Sequence, residues 1–122
     1  MSTITERVAA GAAFLDEHDP EWWRENVERA IDLNTLDLDS NRTCVLGQRC
    51  PLEVLAAHIG AGVHDLGDGD RWRGYIAYSR HLSGLRNTAG WACDHGFNGL
   101  DHDEMPILTA EWSRVITERR AS

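Results

Sequence analysis

The chain of 122 residues carries 20 acids against 12 basic residues, a formal net charge of −8, and is 42% apolar. That length and apolar content suit one folded domain and exclude a disordered chain, and the negative charge disfavours DNA, whose phosphates would repel it. Apolar runs of only a few residues exclude a membrane-spanning helix, and the N-terminus lacks the basic and apolar regions of a signal peptide, so a cytoplasmic location is expected.

Thr3 and Glu6 have capping-box spacing, and Ile4, Val8, Ala12 and Leu15 follow on one face, which predicts a helix over 3–17. Asp19-Pro20-Glu21 reads as a second helix start, with a helix over 20–31 whose stripe is Trp23, Val27, Ala30 and Ile31. Trp22 falls off that stripe, so it either packs on the first helix or stays partly exposed. Residues 31–40 alternate around Leu36 and Leu38 like a short strand, yet no second segment offers it a partner, and an irregular, inward-facing connector is expected.

Residues 44–48 read as a short helical turn and Pro51 as the start of a helix to 59, with Leu52, Leu55, Ala56 and Ile59 inward and Gly60 closing it. Residues 60–70 are expected to form one long flexible loop, with Asp70 capping a helix over 71–85. The stripe of that helix is Trp72, Tyr75, Ile76, Ser79, Leu82 and Leu85. A short helix over 89–95 ends on Gly96 and Phe97, and a last helix over 107–120 turns Leu108, Trp112, Val115 and Ile116 inward. The expected fold is therefore a single all-α domain, a compact bundle of five or six short helices, with 32–38 as the one segment that also suits a short extended stretch.

Charge is distributed unevenly along this chain. Residues 1–70 hold fourteen acids against five Arg, whereas residues 71–100 hold Arg71, Arg73, Arg80 and Arg86 against the single acid Asp94. Segregation of this kind suggests a contact surface, since solubility alone is served by interspersed signs. Arg71, Trp72, Arg73, Tyr78, Arg80, His81 and Arg86 combine guanidinium groups with aromatic rings, the residue types enriched at binding hot spots. They are the candidate binding residues, with a host or phage protein as the expected partner and a nucleotide or other anion as the alternative. The ordinary reading of the same helix is a solvated face paired with the acidic first half. A homodimer through an exposed Trp22 also fits.

Other constellations are weaker. Cys44, Cys50, Cys93 and His95 offer four zinc-ligand types, but Cys-x5-Cys and Cys-x-His are not tight knuckles, and buried structural thiols are the ordinary explanation. An odd cysteine count speaks against a disulfide framework. Asp65, Asp68 and Asp70 suit a hard cation but lack the remaining positions of a calcium loop. Residues 52–60 resemble the first helix of a helix-turn-helix, yet an acidic Gly-rich stretch stands where a recognition helix should begin. Asp101-His102-Asp103 has an imidazole between carboxylates but no nucleophile motif, and no catalytic residue is assigned.

The Ala-rich first helix, the Trp before Ile31-Asp32-Leu33, Cys44-Val45-Leu46-Gly47-Gln48, the Gly96-Phe97 turn and the Trp112 helix together resemble small uncharacterised proteins of actinobacteriophages and actinobacterial prophages. The stretch 49–86 is longer and richer in Arg than that resemblance leads one to expect. The resemblance implies a phage or prophage accessory protein working in the host cytoplasm, without supplying an activity or a cofactor. All twelve basic residues being Arg agrees with a GC-rich host.

Overall fold

A computed structural model describes residues 2–122. Six α-helices are present, α1 (Ile4–His18), α2 (Val45–Arg49), α3 (Leu52–Ile59), α4 (Gly74–Ser83), α5 (Ala89–Asp94) and α6 (Met105–Ala121), and among the described residues there is no strand. The all-α expectation holds.

Local signals account for most of these helices. Thr3 and Glu6 form the capping box, each side chain accepting the other's backbone N–H at 3.1 Å. Val8, Ala12 and Leu15 are buried as the period requires, and Leu108, Trp112 and Ile116 of α6 meet them. Gly60 closes α3 and Gly84 closes α4 in the left-handed conformation. Gly96, at φ 69°, follows α5, and a Cβ there would stand 2.9 Å from the Val8 backbone, so the turn needs glycine both for its angle and for its fit. That fit brings Phe97 onto Trp112 with ring centroids 5.4 Å apart, while the Trp112 indole N–H donates to the Gly96 carbonyl at 2.7 Å.

The expected helix over 20–31 does not form. Trp22 is instead fully buried, edge-on to Trp112 at 5.5 Å, with its indole N–H donating to Asp16. The carbonyls that an α-helix would spend internally are taken by arginines from elsewhere. Arg120 donates to Trp23 O and Ile31 O, and Arg49 donates to Glu28 O and Arg29 O. Burial of Trp22 also removes the ground for a homodimer through it.

The 31–40 connector is irregular and faces inward, as its sequence suggests. Ile31, Leu36 and Leu38 are buried, and Gln48 clamps the segment by accepting from Asp32 N at 2.7 Å and donating to Thr43 O at 2.8 Å. The 60–70 stretch is less open than expected, because two 3-10 turns occupy Val63–Asp65 and Asp68–Arg73. Asp70 accepts from Gly67 N at 2.9 Å, so it starts the second of these turns rather than capping α4.

A polar network sits beside the apolar core. Arg49 reaches Asp19 with two hydrogen bonds, Nε at 3.0 Å and Nη2 at 2.7 Å, and the Tyr78 hydroxyl donates to the same carboxylate at 3.0 Å. Both members of the ion pair are largely withdrawn from solvent. Removing one partner strands the other charge, so Arg49→Ala should lower the unfolding free energy by about 3–5 kcal/mol in urea titrations. A loss below about 1 kcal/mol would show that the pair is not the buried anchor described here.

Candidate functional site

The segment leading into α4 is held from several sides. Tyr75 N donates to Asn41 O at 3.2 Å, and a Cβ on Gly74 would sit 3.2 Å from Gly47 O, so α4 begins pressed against α2. Further along, α4 packs on α3. Tyr75, Ala77, Tyr78 and Ser79 are buried. The opposite face and the preceding 3-10 turn carry the arginines.

Two of the candidate residues take places opposite to those expected. Trp72, read as a core residue, is 54% exposed, and Tyr78, read as near the outer face, is 5% exposed with its hydroxyl spent on Asp19. Tyr78 stands three residues after Tyr75 on the buried face of α4, and for Trp72 the reason is a change of helix type. Residues 68–73 form a 3-10 turn, which advances about 120° per residue, so the stripe extrapolated back from α4 at about 100° per residue goes out of phase by Trp72. Tyr78 is thus a structural residue. Trp72 becomes an exposed indole between Arg71 and Arg73.

The cations form two neighbouring groups. Partial burial, and then the charges of Arg29 and Arg42, lower the Arg71 guanidinium from its ordinary value. Arg29 reaches this position from a left-handed turn at φ 62°, fixed by the Arg49 bonds to the Glu28 and Arg29 carbonyls. His58 of α3 lies beside Arg80 and Arg73, and desolvation followed by those two charges lowers its pKa. Exposed His81 stacks on Tyr78 with centroids 6.1 Å apart, and Arg80 Nε donates to Arg86 O at 3.0 Å.

None of Arg29, Arg42, Arg71, Arg73 or Arg86 makes a side-chain hydrogen bond or ion pair among the described residues. The ion pairs engage Arg7 with Glu104, Arg49 with Asp19, Arg114 with Glu111 and Glu118, and Arg119 with Asp16. The 71–86 arginines are therefore not paired with the acidic first half of the chain. Arg29, Arg42 and His58 join the site from separate segments, and no local spacing in the sequence announces them.

The zinc-ligand types are dispersed among other bonds. Cys44 Sγ caps α2 by accepting from Gly47 N at 3.2 Å, Cys93 donates to Gly99 O at 3.4 Å, and His95 Nδ1 lies 2.7 Å from Trp91 O. Cys50 faces the Arg71 and Arg29 charges. Burial pushes the Cys44 thiol up to about 12 and the Cys50 thiol up to about 11, so neither is primed as a thiolate. Among the described residues no three His, Cys, Asp or Glu side chains are grouped to hold a metal ion.

No protein-family model, curated protein or solved structure matches the chain.

Because the folded pKa of His58 lies below its ordinary 6.5, the unfolded state takes up the proton first, and stability is lost as pH falls from 6.5 toward the folded value. NMR titration should find His58 titrating below 6.5, and Arg73→Glu should raise its pKa by removing a neighbouring positive charge. An unchanged pKa in that variant would separate His58 from the Arg73 group.

Proposed function

We propose that the chain is a non-enzymatic interaction protein that engages an acidic protein surface through Trp72 and the arginines around it. The observation that carries this reading is the set of cations without side-chain partners, Arg29 and Arg42 near Arg71, with Arg73 and the exposed Trp72 next to it in sequence, in a chain of net charge −8. An apolar anchor inside a polar, charged rim is the anatomy of a protein–protein contact, with Trp and Arg its usual hot-spot types. A DNA backbone is a poorer fit, because it would run past this patch onto Glu21, Glu28 and Glu53, which lie beside Arg29. Complementary charge would steer the partner in and set its orientation. The resemblance to actinobacteriophage proteins supports a phage or prophage accessory role in the host cytoplasm, acting on a host or phage protein by occlusion or recruitment. No helix among the described residues is long and apolar enough to cross a membrane.

Arg42 and Arg73 are exposed and unpaired, so reversing them should leave the fold intact. Immobilised wild-type chain should retain one dominant protein from an actinobacterial lysate, released as salt is raised, and Arg42→Glu/Arg73→Glu should not retain it. Trp72→Ala should weaken the isolated complex by about 2 kcal/mol or more. Equal retention by the charge-reversed chain, with its circular dichroism unchanged, would place the contact elsewhere.

A further inference from the structure

Beyond the face around Trp72 lies a separate cleft of about 330 Å³ between the second half of α4, the 86–89 turn and Asn98. Arg80 and Arg86 both line it, and Arg80 Nε, bonded to Arg86 O, ties the two residues together across the Gly84 turn. No acid lines this cleft. Four other cavities each include carboxylates, such as Glu21 and Glu25, Asp37 and Asp39, Asp16 and Glu111, or Glu28 and Glu53.

The uncharged groups have the same polarity. Asn87 Oδ1 accepts from Ala89 N at 3.2 Å, which orients that carboxamide and leaves its NH2 to offer, whereas Asn98 Oδ1 accepts from Gly99 N at 2.9 Å and its NH2 faces the Tyr75 hydroxyl. Thr88, only 6% exposed, has a hydroxyl with no partner among the described residues. That hydroxyl is free to donate into the cleft. The cleft thus gathers Arg80, Arg86, the Asn87 NH2 and the Thr88 hydroxyl, beside Ile76 and Tyr75.

A carboxylate could accept from these donors but would balance only one of the two positive charges. A phosphate dianion, with three terminal oxygens, matches both the charge and the donor count, and Arg is the side chain suited to grip it. The volume is larger than a bare phosphate needs and lies at the lower end of small-molecule sites. We infer that this cleft binds a phosphate group, carried by Arg80 and Arg86 and oriented by Asn87 and Thr88. This is a small-molecule site distinct from the proposed protein-binding face.

The test is an NMR titration of the full chain, following the Asn87 and Asn98 side-chain amides and the Thr88 backbone amide. The probes are inorganic phosphate, glycerol 3-phosphate, adenosine 5′-monophosphate, and, as controls at equal ionic strength, sodium acetate and sodium chloride. Saturable shifts with at least one phosphate probe, at least ten-fold tighter than acetate, are expected. Arg86→Gln, at an exposed residue whose side chain makes no hydrogen bond, should weaken that binding ten-fold or more. Arg42→Glu/Arg73→Glu should leave it within two-fold, so this result stands or falls apart from lysate capture. A preference for either ester identifies a phosphomonoester as the ligand, and equal affinity for inorganic phosphate identifies the free ion. Absence of saturable shifts, acetate binding as tightly as phosphate, or an Arg86→Gln chain that binds like wild type would each overturn the assignment.

Discussion

The Arg49–Asp19–Tyr78 network is the constraint on which the rest of the structure depends. Asp19 ends α1, Arg49 ends α2, Tyr78 lies in α4, and Arg49 also holds the Glu28 and Arg29 carbonyls. One guanidinium therefore joins segments far apart in sequence, and it does so where water is largely excluded. Its geometry is planar and bidentate, which a lysine would not reproduce. Because Tyr78 must point at Asp19, the rotation of α4 about its own axis is fixed. Arg80 on the same helix then faces out, and Trp72 and Arg73 on the 3-10 turn before it are carried to the surface.

Charge is sorted along the same division. Arginines with structural tasks sit opposite acids or carbonyls: Arg7 on Glu104, Arg119 on Asp16, Arg120 on the Trp23 and Ile31 carbonyls. Asp16 illustrates the consequence, since hydrogen bonding from Arg119 holds its carboxyl below the usual range, and the same arginine covers the Trp22 ring at 5.1 Å. The cations of the Trp72 face have no such tasks. Partial burial, and then neighbouring positive charge, lowers the Arg71 and His58 values.

The sequence made some of this legible and left other parts hidden, for physical reasons. Helices α1, α3, α5 and α6 could be read because their caps and apolar periods are local: Thr3 with Glu6, Pro51 with Gly60, Gly96 with Phe97. The 20–31 segment could not, because its carbonyls are satisfied by Arg49 and Arg120, and nothing in the local spacing announces a donor from 97 residues away. Trp72 was misplaced by assuming one helix type through a stretch that uses two, and Tyr78 by leaving it off the stripe that Tyr75 and Ser79 mark. The charge segregation was visible from residue counts alone, and the structure adds Arg29, Arg42 and His58 to the segment it marked. Arg80 and Arg86 were marked by the sequence as candidates for an anion, but the cleft they share with Asn87 and Thr88 depends on the Gly84 turn and was not legible.

Arginine-specific labelling of the native chain with phenylglyoxal, read by peptide mass spectrometry, tests most directly whether the cations divide into engaged and free. Arg42, Arg73 and Arg86 should label first, and Arg7 and Arg49 should stay unmodified until the chain unfolds. Labelling of Arg49 as fast as Arg73 would contradict both the buried anchor and the free cationic face that it orients.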